Sequence, residues 1–375
     1  MKKFLFIIFC FVFICACKTA QKEMPNQSKT QPEQQILSQE FMTETPAVKT
    51  EVKVEKQELK QELNPKQTSV ETETKQEIKQ GTKSTVKEVT KQENLPAKET
   101  EITTTEVKLD SKNPPKEILR TDDGRLTHPW YFMQVSTFTP EGKKPLWFGE
   151  ELNYKISWAF VTAGEATIKA DKILYNGKEY AYQIETLAKS YPVIDKMFKV
   201  RDINMSWIKS DLSKSLGYWQ SVREGSYKRD EWLNFDYKNN FYNMYKQNKR
   251  GELYKFTTPF TGTEVFDVLS ALYYVRNPKI ALQDTIYFDI VNVNKQYPLK
   301  VIVHGKEKVK TKAGTFNCIV VEPMISGESI FVVKGKSLKV WLTDDEYRLP
   351  VKMAVEVFIG SVKAELYSYK KGGNL

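Results

Sequence analysis

The residues best placed to do chemistry are charged and clustered. Val200-Arg201-Asp202 and Arg223-Glu224-Gly225-Ser226-Tyr227-Lys228-Arg229-Asp230-Glu231 lie in two strand-like stretches. An extended backbone sends successive side chains to opposite faces, so Arg201 and Asp202 must part. If Arg201, Arg223 and Arg229 shared a concave face, their planar guanidinium groups would hold a carboxylate or phosphate through paired hydrogen bonds. On an outer face, Arg201, Asp202, Glu224 and Asp230 would instead form cross-strand ion pairs worth under ~1 kcal/mol each. A second chemistry needs two convergent carboxyls among Glu224, Asp230 and Glu231, one with a raised pKa, and would suit glycan hydrolysis. Trp158, Trp207, Trp219, Trp232 and Trp341 fill a core, line a pocket for acyl chains, or stack on sugar rings. The candidate ligand-binding set is therefore Arg201, Asp202, Trp207, Arg223, Tyr227 and Arg229.

The other reactive residue types point away from catalysis. There are two histidines, His128 in Leu126-Thr127-His128-Pro129-Trp130 and His304 on a charged strand. Neither has metal-ligand spacing to a second His, Cys or carboxylate, and His304 reads as an ordinary surface histidine. No nucleophile-elbow, metalloprotease or phosphate-loop motif occurs. No metal or cofactor is expected, and the chain reads as a non-enzyme. Cys318, in the apolar run Thr315–Val321, reads as a buried structural thiol. Asp344 and Asp345 fit a hairpin turn.

Position along the chain separates three regions. Lys2 and Lys3 precede an apolar run from Phe4 to Ala16, shorter than the ~20 residues a spanning helix needs. Its end, Ile14-Cys15-Ala16-Cys17, resembles the lipobox of bacterial lipoproteins. That resemblance implies cleavage after residue 16 and acylation of Cys17, which anchors the protein to a membrane through its acyl chains. Lys18 after the cysteine leans toward the outer membrane, facing the periplasm. Residues 17–115 are dense in Lys, Glu, Gln and Thr, nearly lack aromatics, and read as a disordered tether. Residues 116–375 hold all seven Trp and all 19 Tyr, and only they can bury a core. The net charge of +10 permits contact with anionic lipid, glycan or peptide; nucleic acid is not expected behind such a signal.

The elements that must position the cluster are mostly strands. Leu152–Trp158 alternates apolar and polar residues, the mark of a strand with one buried face. Asn176-Gly177 between two such runs favours a type I′ turn. Further strands are expected at Val200–Lys209, Leu216–Arg223, Tyr227–Asp236, Phe241–Lys246, Glu252–Thr257, Thr285–Val293, Leu299–Lys312, Thr315–Glu322, Ser337–Thr343, Val351–Ile359 and Ser361–Lys370. One helix is predicted at about 263–276, capped by Thr261 with Glu264 reaching back, its apolar stripe facing the core. Tyr191–Phe198 is expected to form a short turn or lid. The fold class is mainly β: one large antiparallel, strongly curved sheet or open barrel with one covering helix.

Several short stretches, in order, carry a family resemblance: Gly149-Glu150-Glu151-Leu152-Asn153-Tyr154, Ala163-Gly164-Glu165-Ala166, Phe198-Lys199-Val200-Arg201-Asp202, Arg223–Tyr227, Asp267–Tyr274, Ala313–Phe316 and Trp341–Val351. Together they resemble the secreted family catalogued as domain of unknown function 3108, over roughly residues 146–370. The resemblance implies a β-rich extracytoplasmic domain and supplies no catalytic residues. The expected function is an envelope lipoprotein whose β-domain binds an apolar or amphipathic ligand, or an envelope polymer, without catalysis. A glycan hydrolase using the Arg/Asp/Glu cluster and a scaffold binding an envelope protein are the alternatives.

Overall fold

The computed structural model describes residues 104–278, 285–292, 295–325, 328–329, 338–356 and 360–373. Residues 1–103, which include the expected signal peptide, Cys17 and most of the expected tether, lie outside the described residues. Three short strands come first: β1 (Thr105–Leu109), β2 (Leu119–Arg120) and β3 (Leu126–Thr127). A run of long strands follows: β4 (Glu150–Trp158), β5 (Val161–Tyr175), β6 (Tyr180–Ser190), β7 (Arg201–Lys209), β8 (Ser215–Glu224), β9 (Tyr227–Asp236), β10 (Phe241–Gln247) and β11 (Leu253–Pro259). The one-turn helix α1 (Pro192–Asp195) separates β6 from β7. After β12 (Val265–Phe266) and α2 (Val268–Val275) come β13 (Thr285–Asn292), β14 (Lys295–Thr311), β15 (Gly314–Ile325), β16 (Glu328–Ser329), β17 (Leu338–Thr343), β18 (Pro350–Glu356) and β19 (Ser361–Lys370).

Seventeen of these strands form one sheet, which is not closed into a barrel. From β4 to β11 each strand pairs antiparallel with the next, and β19 returns to pair with β4. Alternation makes one face apolar: in β4, Leu152, Tyr154 and Ile156 are buried while Asn153 and Lys155 are half-exposed. Across the ladder these residues meet Ala166, Ile168, Ile184, Ala364 and Leu366 in one core cluster, so the sheet curls around that face. Bulges at Ile156/Ser157, Trp207/Ile208 and Leu366/Ser368 add the local twist that curling needs.

Helix α2 lies on the same face. It starts later than predicted, at Val268, because Asp267 and not Thr261 is its cap. Asp267 Oδ1 accepts from the backbone N–H of Leu269 and Ser270, and Ser270 Oγ accepts from the Asp267 N–H, a complete capping box. Asp267 Oδ2 accepts from Ser206 and Ser215 at 2.6 Å each, which pins the helix start to β7 and β8. Val265 and Phe266, predicted helical, instead pair parallel with β13.

Two other expectations change. The tether was expected to run to residue 115, but Thr105–Leu109 pair with β11 as a strand of the sheet. The β5–β6 turn is not type I′, which needs positive φ at both central residues. Only Gly177 has it (φ 91°), and Asn176 Oδ1 instead accepts from the N–H of Lys178 and Glu179 across a four-residue loop.

On the other face of β7–β10, residues 119–133 form a cover. Leu126 and Trp130 pack with Met205, Trp207, Trp219, Trp232 and Tyr245 in a second cluster. Trp219 Nε1 donates to Leu126 O at 2.7 Å. His128 stacks on Trp207 at 4.8 Å, its Nδ1 accepts from Trp130 N–H, and burial pushes its pKa down to about 3. It is a neutral core histidine. Cys318 is fully buried, and burial pushes its thiol up to about 11, as a structural cysteine requires.

Candidate functional site

Strand alternation divides the charged cluster between the two faces. Opposite α2, Arg201 clasps Asp195 of α1 through Nη1 (3.1 Å) and Nη2 (2.6 Å). Arg223 clasps Asp230 in the same way at 2.7 and 2.9 Å. Asp230 also accepts from Ser221 Oγ and from the Leu126 N–H, so this carboxylate holds the cover of residues 119–133 in place. Trp207 belongs here too, fully buried beneath that cover. The condition that Arg201, Arg223 and Arg229 share a concave face is therefore not met, because Arg229 alone points toward the side of α2.

On the α2 side, the registers Asn204↔Gln220, Gln220↔Glu231 and Val222↔Arg229 gather polar residues inside the curl. Asp202, Asn204, Gln220, Glu224, Arg229 and Glu231 are all buried there. Arg229 Nη2 donates to Gln220 Oε1 at 2.8 Å and lies 3.5 Å from Glu231 Oε1. Gln220 and Glu231 both lie farther from the β8–β9 turn than Arg229, so they hold its guanidinium against the sheet. Burial pushes the Asp202 carboxyl up to about 6, against the Arg223 N–H, Arg125, Arg229 and a hydrogen bond with Glu224, which all pull it down.

That carboxyl predicts a pH dependence with a definite sign. A raised native pKa means the folded state holds a proton the unfolded chain has released. Its stabilising contribution is complete below the unfolded value near pH 4 and is lost as pH rises through about 6. At ~1.4 kcal/mol per unit the loss is roughly 2–3 kcal/mol. Urea denaturation of wild type and Asp202→Asn at pH 4 and pH 7 should diverge by that amount, with the variant the flatter. Parallel curves would show that Asp202 does not hold the proton.

Of the three carboxyls named for hydrolysis, Glu224 and Glu231 are buried on this face and Asp230 is held by Arg223 on the other; Asp202, which meets Glu224, also lies below the surface. One opening to solvent lies at the end of β9 and β10. A cavity of about 310 Å³ there is lined by Tyr227 and five cations, Lys228, Arg229, Lys246, Lys249 and Arg250. The turn presenting the last two is fixed by Asn248, whose Oδ1 accepts from the N–H of Arg250 and Glu252, and by Gly251 at φ 80°. Glu231 sits behind Arg229, and Glu252, beside the turn, turns away to Lys108 of β1 at 2.7 Å. The cavity lining thus carries positive charge with no carboxylate.

Of the predicted ligand residues, Tyr227 and Arg229 line this cavity and Asp202 lies on the same face. Arg201, Arg223 and Trp207 do not take part. Sequence reasoning missed Lys246, Lys249 and Arg250 as site residues. The available signal was the run Lys246-Gln247-Asn248-Lys249-Arg250-Gly251, a turn signature flanked by cations.

Residues 153–367, more than half of the chain, match the family described as "Protein of unknown function (DUF3108)". The chain belongs to this family. No curated protein matches it. Among solved structures it is similar to a beta-barrel-like protein of domain of unknown function DUF1849 from Brucella abortus, at 9% identity and a TM-score of 0.40, covering 61% of this chain and 99% of that one. It is also similar to a protein with a YmcC-like fold from Bacteroides fragilis, at 10% identity and a TM-score of 0.29, covering 61% and 98%. In this member of DUF3108 a second cavity, of about 450 Å³ at the opposite end of β8 and β9, mixes Lys178, Lys214 and Lys238 with Glu179 and Asp236, so its lining lacks the single sign of charge of the first. His304 is exposed and pairs with Glu322 at 2.5 Å, and no cluster of three potential metal ligands occurs among the described residues.

Proposed function

We propose that this DUF3108 protein is a lipid-anchored envelope protein, held through Cys17 at the outer membrane and facing the periplasm, that binds an anionic ligand or a segment of anionic envelope polymer without turning it over. The observation that carries this reading is the cavity of about 310 Å³ lined by five cations and Tyr227. Its size suits a small ligand or a few units of a polymer. Cations converging in a low-dielectric recess focus potential and draw in counter-charge. Lys228, Lys249 and Arg250, all exposed, supply the cations a carboxylate or phosphate would meet, with Arg229 held behind them by Gln220 and Glu231. The ligand is thus anionic and polar at its bound end, a narrower expectation than an apolar or amphipathic one. Glycan hydrolysis has less support, because Asp202 and Glu224 are 8% and 1% exposed and do not line this cavity.

Calorimetric titration of the full chain with pyrophosphate and with a short uronate oligosaccharide tests the reading. Lys246→Ala/Lys249→Ala/Arg250→Ala should weaken binding of the better probe at least about tenfold, since loss of ~1.4 kcal/mol suffices for that and charge-assisted bonds are worth more. Lys178→Ala/Lys238→Ala, at the far end of the strands, should change nothing. Equal affinity in all three proteins, or no binding of either probe, would end this proposal.

A further inference from the structure

The strand registers bring four connections to one end of the sheet. Trp158 pairs with Val161 across the β4–β5 turn, and Gly164 pairs with Ser190 just before α1. Lys189 pairs with Arg201 just after α1, and Val200 bridges to Glu224 at the β8–β9 turn. Asp230 and Leu253 both pair with Gln247 below the β10–β11 turn. Gly225 N–H donates to Lys199 O at 2.7 Å, which ties the α1 loop to the neighbouring turn.

These connections carry large apolar side chains that face solvent. Phe160 is 102% exposed, Met197 77%, Val193 74% and Val161 52%. Single exposed hydrophobics are ordinary on a protein surface, but a set on adjacent loop tips marks a contact site. The same end carries Lys196, Lys199, Lys228, Lys249 and Arg250, all exposed, and none forms an ion pair with a carboxylate among the described residues. Three of the acids nearby are engaged, Asp195 by Arg201, Glu165 by Lys155 and Lys189, and Glu252 by Lys108, while Glu356, opposite Ser361 beside the β4–β5 turn, is exposed. Apolar tips ringed by free cations match the two layers of an anionic bilayer surface, where apolar groups sink past the headgroups and cations sit among the phosphates.

We infer that this end of the domain docks onto an anionic lipid bilayer, with Phe160, Val193 and Met197 entering the interface and the Lys/Arg collar contacting lipid headgroups. The docking shares Lys249 and Arg250 with the ligand cavity but not the apolar tips, so the two readings separate by experiment. It adds a second contact, through the folded domain, to the one expected from Cys17.

The test uses the chain from Lys18 onward, which keeps every described residue and lacks the anchor cysteine. Circular dichroism confirms folding of each variant, and all substitutions sit at exposed positions. Sedimentation with vesicles of phosphatidylglycerol and phosphatidylethanolamine, compared with pure phosphatidylcholine, should show binding to the anionic vesicles alone, weakened by added salt. Phe160→Ser/Met197→Ser should lower that partitioning at least about tenfold while leaving pyrophosphate or uronate binding intact. Lys249→Glu/Arg250→Glu should weaken both. Unchanged vesicle binding by Phe160→Ser/Met197→Ser, or no preference for anionic lipid, would overturn docking. So would a chain that ignores vesicles but self-associates until Phe160 is replaced, a result that points to a protein contact. No binding of pyrophosphate or uronate by the unsubstituted chain, with vesicle binding present, would overturn the cavity reading alone.

Discussion

Arg276→Met is expected to lower the unfolding free energy by about 3–5 kcal/mol. Arg276 follows α2 directly, its side chain is fully buried, and it meets Glu150 at the start of β4 through two bonds of 2.6 Å. Tyr273 Oη donates to the same carboxylate at 2.6 Å, and the guanidinium lies 4.7 Å over the Tyr273 ring. Removing the arginine leaves Glu150, 1% exposed, as a buried charge with only a phenol for company. A buried pair that is broken is far worse than one that was never there, because both ions lost their water on folding. Glu150→Gln/Arg276→Met should therefore recover most of the loss, since the amide oxygen still accepts from Tyr273. Urea denaturation of the three proteins is decisive. A single variant within about 0.5 kcal/mol of wild type would show that the pair contributes nothing.

The period-two pattern was legible wherever one face of a strand is buried, which is why Tyr227–Asp236 and Ser361–Lys370 have the bounds expected of them. The helix start was not, and the reason is tertiary. Thr261 and Glu264 have capping spacing, but Val265 and Phe266 bury better as a strand against Asp289 and Ile290. The cap then falls to Asp267, a residue whose two serine partners on β7 and β8 are over fifty positions away. Thr105–Leu109 was invisible for a similar reason. Its composition is that of the tether, and only the free edge of β11 makes it a strand. Within the site, alternation correctly parted Arg201 from Asp202. Which of the two faces curls inward is not local information, so the sequence could not say that Arg229 points toward the basic cavity while Arg223 clasps Asp230. Lys246, Lys249 and Arg250 resembled ordinary solvated charge until the β9–β10 register set them beside Arg229. The stretches that carry the family resemblance contain Glu150, Asp202, Glu224 and Asp267, all buried polar residues. Such residues stand out in a strand pattern because they interrupt it, but the interruption does not say whether the partner is another side chain or a ligand.

Trp207 makes that ambiguity testable, because a core role and a ligand role predict different losses. Trp207→Ala is expected to destabilise the domain by about 3–5 kcal/mol. Its side chain is fully buried between the sheet and residues 119–133, stacked on the His128 ring. Its Nε1 donates to Gln183 Oε1 at 3.1 Å, so truncation also strands a buried acceptor. The cover cannot collapse freely into the gap. Leu126 is held by Asp230 and Trp219, and His128 already sits so close to β8 that a Cβ on Gly217 would meet its Nε2 at 2.7 Å. Most of the cavity should therefore persist, which is the condition for a loss at the upper end of that range. Anion affinity per folded molecule should be unchanged, because Trp207 does not line the basic cavity at the end of β9 and β10. Tyr227→Ala should behave in the opposite way, with stability nearly intact and anion binding weakened, since Tyr227 is half-exposed at the cavity wall. Denaturant midpoints and anion titrations on both variants separate the roles. Should Trp207→Ala keep its stability and lose affinity, the ligand would lie beneath residues 119–133, and that segment would be a lid over a binding site on the face opposite α2.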